Sequence, residues 1–163
     1  MTAPRDPTVV VDGMALARAL REEIAAEIAA LVAAQHRPPC LAVVLVGDDP
    51  ASLSYIKGKR RACERAGMTS REHDLPATAT QEDVVDVVTM LGRDAGVDGI
   101  LVQLPLPKGL GTAAVIEAID PAKDVDGLTT PSAGRLLAGL PGLRPCTPLG
   151  ILAVLDRHGI PIA

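Results

Sequence analysis

The stretch that decides the fold is "CLAVVLVGDDPAS", residues 40–52. Its first seven residues are apolar without polar alternation, which is typical of a strand buried on both faces of a parallel sheet. A helix start follows directly, with Asp49 as the predicted N-cap and Pro50 at the first helical position. We expect this helix to continue to about Ala66 and to end at Gly67. A buried strand that leads straight into a helix predicts an α/β unit.

The rest of the chain repeats this alternation. A helix is predicted after Asp12, where Leu and Ile recur at four-residue spacing. "SREHDLP" (70–76) predicts a more polar strand near a sheet edge, and "VDGILVQLPLP" (97–107) predicts a second buried strand that ends at prolines. Further predicted elements are a helix from Thr80, helices over Thr112–Ile119 and "SAGRLLAG" (132–139), a short strand within "LPGLRPCTP" (140–148) and a helix over Leu149–Arg157. The pattern predicts an α/β fold with a mainly parallel sheet flanked by helices.

Composition excludes several classes of protein. The 163 residues carry a net charge of −4, and the longest basic run is "KGKRR", which argues against a nucleic-acid binder. No apolar run is long enough to span a membrane, and "MTAPRDPT" does not resemble a signal peptide. The three widely spaced cysteines (Cys40, Cys63 and Cys146) predict buried free thiols in a reducing compartment. The three histidines form no metal-binding pair, so we expect no metal site. Together with the missing signal peptide and membrane-spanning run, this composition predicts a soluble, cytoplasmic protein.

The only aromatic residue of the chain, Tyr55, lies four residues before Lys59. On a helical wheel Lys59 shares a sector with Ile56 and Cys63, whereas Lys57 faces away and is an ordinary solvated lysine. In one interpretation the Lys59 stem covers apolar surface and its amine reaches water, while Tyr55 is a half-buried ring with a satisfied hydroxyl. In the other, both lie at the carboxyl end of the sheet, where a partly dehydrated amine transfers protons and the ring covers a planar substrate.

Two other stretches place polar groups where the same site is expected. Gln103 lies in the apolar run "GILVQLPLP", so its amide either bonds to neighbouring loop backbone or orients Lys59 and contacts a substrate. In "KDVDG" (123–127), Asp124 and Asp126 either cap a turn or provide a carboxylate that accepts two parallel N–H bonds from an amino-substituted heterocycle. Spacing alone leaves both questions open.

Four successive motifs resemble those of the methylenetetrahydrofolate dehydrogenase/methenyltetrahydrofolate cyclohydrolase family. They are "VGDDPASLSYIKGKRRACERAGM" (46–68), "DGILVQLPLP" (98–107), "PAKDVDGLT" (121–129) and "RPCTPLG" (144–150). The resemblance extends from about residue 9 to the last residue. It implies NADP-dependent oxidation of 5,10-methylenetetrahydrofolate and hydrolysis of the methenyl product to 10-formyltetrahydrofolate. A folate-binding module without catalysis and a flavodoxin-like signalling or scaffold domain are the alternatives.

The resemblance also implies roles for single residues. Lys59 is the central acid/base residue, Gln103 hydrogen-bonds to it, Tyr55 stacks on the folate, and Asp126 holds the pterin. Ser132 is a departure, since the family usually has Asn near this position. The implied substrate-binding residues are Tyr55, Ile56, Lys57, Gly58, Lys59, Val102, Gln103, Leu104 and Asp126.

The cofactor implied by the family is NADP. Its pyrophosphate would be bound by a Rossmann domain that is absent from this sequence, which contains no G-x-G-x-x-G motif. Thr147 and Pro148 would lie near the nicotinamide. The resulting expectation is a flexible N-terminus (1–8), a folate-binding catalytic domain (9–148) and an inter-domain helix (149–163) leading to the missing NADP-binding domain. We expect a homodimer for the full-length protein, and no hydride transfer by this chain alone.

Overall fold

The computed structural model of the chain describes residues 10–162, so the predicted flexible segment 1–8 lies outside the described residues. The strands are β1 (Cys40–Val46), β2 (Thr69–Leu75) and β3 (Gly99–Val102). The helices are α1 (Gly13–Ala33), α2 (Pro50–Ala66), α3 (Gln81–Arg93), α4 (Thr112–Glu117), α5 (Thr130–Leu137) and α6 (Cys146–Arg157). None of the helices in this part of the chain is both long and apolar enough to cross a membrane.

The three strands form one parallel sheet in the order β2-β1-β3. The apolar strand β1 is central and pairs with β2 from Cys40 opposite Thr69 to Val46 opposite Leu75. On its other side, Val44 lies opposite Val102 of β3. The predicted α/β fold is confirmed, as is the edge position of the polar strand β2.

The sheet is buried on both faces. Alternate residues of β1 point to opposite sides of the sheet, and each set packs in its own core cluster. Ala42, Val44 and Val46 pack with residues of β3, α3 and α4 in the larger core cluster. Val43 and Leu45 pack with Ile56 of α2 and Leu101 of β3 in the smaller one. A run without polar alternation is therefore the pattern that this central strand requires.

Local signals fix the helix starts that the sequence predicts. The Asp49 carboxylate accepts a hydrogen bond from the Ser52 amide at 2.8 Å, which caps α2. The helix ends at Gly67, whose φ of 79° lies in the left-handed region that favours glycine. At α3, Thr80 and Asp83 form a reciprocal capping box.

Two expectations near the end of the chain are wrong. Within the described residues, 140–148 contain no strand, and the last helix begins at Cys146 rather than Leu149. The edge of β3 that does not pair with β1 is already occupied, because the Ile100 amide donates to the Lys123 carbonyl at 2.7 Å and Ile100 forms a bridge with Asp124. The prolines of 140–148 also lack the N–H groups that pairing needs.

The cysteines are free, as predicted, but only two of them are buried. Cys40 and Cys63 lie in the core, whereas Cys146 is exposed at the start of α6. The prediction of a buried thiol at Cys146 is therefore wrong, because α6 lies at the surface and contributes no buried residue to the core.

Candidate active site

Lys59 and Gln103 meet at the carboxyl end of the sheet. Lys59 lies midway along α2 and is partly buried, and its Nζ is 3.1 Å from Oε1 of Gln103. Gln103 follows the last residue of β3, and its Nε2 donates to the Leu104 carbonyl at 2.7 Å. The Leu104 carbonyl can only accept a hydrogen bond, so it must face the NH₂ group of the Gln103 amide. The amide oxygen is therefore turned towards Lys59. Both proposed functions of the Gln103 amide, loop contact and Lys59 orientation, are thus present together.

The two carboxylates of "KDVDG" have different environments. Asp124 is 0% exposed, and its carboxylate accepts hydrogen bonds from the amides of Leu128 at 3.1 Å and Thr129 at 2.8 Å. Asp126 is only partly buried and lies within electrostatic range of Lys59. The turn-capping interpretation therefore holds for Asp124, whereas Asp126 remains available to a ligand.

The pKa values of Asp124 and Asp126 are shifted in opposite directions. Burial raises the pKa of the Asp126 carboxyl; the Lys59 ammonium opposes this effect, and the Asp124 charge adds to it. Burial also acts to raise the pKa of Asp124, but hydrogen bonds from Thr129, Ser132 and Leu128 outweigh it, so this pKa lies below its ordinary value. Asp124 is thus a structural anion that holds the loop on which Asp126 is carried.

We expect Asp124→Asn to lower the free energy of unfolding at neutral pH by about 1–3 kcal/mol, because an amide nitrogen replaces one of the two carboxylate oxygens that each accept a backbone N–H. The native pKa of Asp124 is depressed, so its stabilisation is full above the unfolded pKa and is lost as pH falls through the native pKa. The variant should therefore lose less stability than the parent on acidification. Urea unfolding at neutral and acid pH measures both effects.

The matched control is Asp86→Asn, which changes an exposed carboxyl on α3. We expect it to be close to neutral at both pH values. Equal effects of the two substitutions would contradict the structural role given to Asp124.

Tyr55 lies on α2, one helical turn before Lys59, and is exposed. Its side chain is 66% exposed, so the half-buried interpretation of this ring is wrong. Tyr55 and Lys59 line one open groove on the surface of α2, one helical turn apart. Tyr55, the only Phe, Tyr or Trp residue of the chain, therefore contributes little to packing and presents a flat apolar face beside the Lys59 amine.

The loop that carries Asp126 is held between two elements. Below it, a Cβ added at Gly99 of β3 would lie 2.5 Å from Cγ1 of Val125. Above it, Gly127 closely approaches the backbone of Arg144 and Pro145, and the Cys146 thiol donates to the Val125 carbonyl at 3.4 Å. The position of Asp126 is thus set by non-local contacts on both sides.

The remaining predicted site residues lie around this centre. Ile56 and Val102 are buried in the two core clusters, Leu104 is partly buried, and Lys57 is exposed. Thr147 and Pro148 are exposed in the first turn of α6, next to Cys146. Their roles as substrate or cofactor contacts stay predictions. No cluster of three potential metal ligands is found among residues 10–162.

Three residues that contribute to this region were not predicted as site residues. Arg21 of α1 lines the groove with Tyr55 and Lys59. Cys146 lies close enough to Asp126 and Lys59 to interact with both electrostatically; although the residue is exposed, partial desolvation of its thiol is the main reason that the thiol pKa is raised. Ser132 is buried and accepts a hydrogen bond from the Thr129 hydroxyl at 3.0 Å. Only Arg21 left a signal, since it shares a helical row with Ala17, Ile24 and Ile28.

Comparison with known proteins places this arrangement in a family. Residues 11–126 match the profile described as "Tetrahydrofolate dehydrogenase/cyclohydrolase, catalytic domain". The chain belongs to this family. The four motifs predicted the same assignment, and the match includes Tyr55, Lys59, Gln103 and Asp126.

Individual relatives agree with the assignment. The curated protein "Bifunctional protein FolD 2" of Frankia alni is 50% identical over 155 residues, which are 95% of this chain and 54% of the relative. The crystal structure of the bifunctional FolD methylenetetrahydrofolate dehydrogenase/cyclohydrolase from Campylobacter jejuni superposes with a TM-score of 0.89 at 41% identity, over 91% of this chain and 53% of that one.

A third relative was solved with ligands. The FolD structure from Trypanosoma brucei, complexed with NADP cofactor and an inhibitor, has a TM-score of 0.88 at 32% identity and covers 94% of this chain and 53% of that one. The family member described here thus spans about half the length of the relatives that it matches.

Proposed function

We propose that this chain is the folate-binding catalytic half of a bifunctional enzyme. The enzyme oxidises 5,10-methylenetetrahydrofolate with NADP and hydrolyses the resulting 5,10-methenyltetrahydrofolate to 10-formyltetrahydrofolate. The observation that carries the proposal is the hydrogen bond of Lys59 to Gln103 beside Asp126. Family membership supports the reaction class.

Asp126 and Tyr55 bind different parts of the folate. Asp126 accepts two parallel N–H bonds from the amino-pyrimidinone edge of the pterin, a geometry that a carboxylate matches well. Tyr55 covers the flat part of the folate with its exposed ring. Because burial raises the pKa of Asp126, protonation and loss of this grip begin at a higher pH than for an ordinary aspartate.

Lys59 moves the protons of the hydrolysis. When neutral, its amine accepts a proton from water as the oxygen bonds to the methenyl carbon. As the bond from this carbon to N5 breaks, the ammonium returns a proton to N5, and the hydroxyl proton is released when the formyl carbonyl forms. Gln103 holds the amine through both steps, because its oxygen accepts from Nζ in either protonation state.

The same amine serves the oxidation. Opening of the methylene bridge leaves an iminium at N5 and requires a proton on N10, which the Lys59 ammonium donates and recovers when the ring closes again. NADP, when bound, supplies the hydride acceptor for the bridge carbon. The exposed Thr147 and Pro148 fit the nicotinamide end of the cofactor, because they follow Cys146, which lies within electrostatic range of Lys59 and Asp126.

The remaining organisation follows from the same proposal. Residues 9–148 form the folate-binding catalytic domain, and 149–163 lead towards a Rossmann domain that binds most of the NADP. The complete enzyme is a cytoplasmic homodimer of one-carbon metabolism that acts on a small folate and binds neither nucleic acid nor membranes.

We expect purified residues 1–163 to bind folates without NADP-dependent oxidation of 5,10-methylenetetrahydrofolate, because the sequence lacks a glycine-rich phosphate-binding turn. Two measurements check this: the rise in melting temperature with 5-formyltetrahydrofolate, and NADPH formation followed by absorbance. A normal NADP-dependent rate would contradict the division of labour. Folate binding without turnover, even with a nucleotide-binding half of a relative added in trans, would favour the non-catalytic module. No rise in melting temperature with any folate would favour a signalling or scaffold domain.

A further inference from the structure

A groove between α1 and α2 adjoins the proposed site. It is open to solvent, has a volume of about 470 Å³ and is lined by Arg21, Ser54, Tyr55, Gly58, Lys59 and Ala62. Lys59 is shared with the proposed site, because its Nζ also contacts Gln103, whereas Arg21 comes from the neighbouring helix α1. The groove thus joins the site at Lys59 and reaches α1 at Arg21.

Arg21 is an exposed residue in a helical row of α1 that is otherwise apolar. It shares a row with Ala17, Ile24 and Ile28, at offsets that lie on one face of an α-helix. Ile28 is buried, and its Cγ2 lies 3.5 Å from where a Cβ of Gly67 would be, so this row faces α2. Arg21 itself is exposed and lines the groove, so its guanidinium is accessible to a ligand rather than packed between the helices.

The charge of Arg21 is not used within the described fold. The ion pairs found in residues 10–162 involve the arginines Arg37, Arg60, Arg71 and Arg157. No carboxylate in this part of the chain lies within ion-pairing distance of Arg21, although acidic residues outnumber basic ones by 20 to 16 in the sequence. An unpaired guanidinium in a groove is a ready partner for a carboxylate ligand, which it binds with two parallel N–H bonds.

The proposed substrate has such a group at the matching end. A folate carries its pterin at one end and an aminobenzoyl-glutamate tail with free carboxylates at the other. With the pterin at Asp126 and the flat part of the molecule against Tyr55, the tail extends past Tyr55 into the groove. We propose that Arg21 binds the glutamate carboxylates of the folate and that the groove between α1 and α2 is the tail subsite. This inference rests on the proposed function.

The experiment compares two ligands that differ only in tail charge. Binding of 5-formyltetrahydrofolate and of its dimethyl ester to the 163-residue chain is measured by isothermal titration calorimetry. Arg21→Ala should weaken binding of the diacid about three- to tenfold, in the range of a solvent-accessible ion pair, and leave binding of the ester unchanged. Raised salt should weaken the diacid with the parent chain and have little effect with the variant.

Arg18→Ala is the matched control, because Arg18 is an exposed arginine of the same helix that does not line the groove. It should leave the affinities for both ligands unchanged. Equal weakening of diacid and ester by Arg21→Ala indicates a packing role and overturns the subsite, as does an unchanged affinity for the diacid. If the parent chain binds neither ligand, the proposed function fails, and the subsite fails with it.

Discussion

Lys59→Met is expected to lower the rate of methenyltetrahydrofolate hydrolysis by a factor of about 10²–10⁴, the usual contribution of a positioned general acid/base. Methionine keeps the length and apolar character of the lysine stem and removes the amine that meets Gln103 at 3.1 Å. Lys59 makes no described hydrogen bond other than that to Gln103, so the fold should tolerate the change. The rate is followed by loss of methenyl absorbance, with the spontaneous reaction subtracted.

Arg61→Met is the control that separates a specific amine from loss of positive charge. Arg61 lies on the same helix two residues away and is exposed. We expect its hydrolysis rate to equal that of the parent. Calorimetric binding of 5-formyltetrahydrofolate should persist in Lys59→Met, because Asp126 and Tyr55 remain. Unchanged hydrolysis in Lys59→Met, or an equal loss in Arg61→Met, would remove Lys59 from the mechanism.

Gly127→Ala is expected to have the largest effect on stability among the glycine substitutions considered, lowering the free energy of unfolding by about 2–4 kcal/mol. Gly127 has a φ of 63°, which disfavours any residue with a Cβ. The added Cβ would also lie 2.9 Å from the carbonyl carbon of Arg144 and from the nitrogen of Pro145. These are backbone atoms, so the loop must move to relieve the contact.

Movement of this loop should also weaken folate binding, because Asp126 is the preceding residue. Two controls separate the causes. Gly139→Ala combines a φ of 67° with open space, so it tests backbone strain alone and should cost about 1–2 kcal/mol. Gly134→Ala lies inside α5 with open space and should be neutral or slightly stabilising. Urea unfolding of the three variants gives the order, and a Gly127→Ala no worse than Gly139→Ala would contradict the close approach.

Much of the fold was predictable because its signals are local. The unbroken apolar run of β1, the Asp49 cap and the Gly67 terminus each involve residues within one or two turns of each other. The polar composition of β2 likewise indicated its edge position. The short strand predicted within 140–148 failed for a non-local reason, since Lys123 and Asp124 already occupy the edge of β3.

One part of the candidate site was likewise predictable from local sequence signals, and the other part depends on the tertiary structure. The sequence by itself determined that Lys59 lies on the protein-facing side of α2, that Tyr55 lies one turn before it, and that the motifs belong to a folate family. Only the tertiary structure decided which aspartate is buried, that the Gln103 amide is held in one orientation, and that Arg21 of another helix joins the groove. The physical reason is that periodicity and capping depend on neighbours along the chain. The environment of a side chain depends instead on packing between elements that are far apart in sequence.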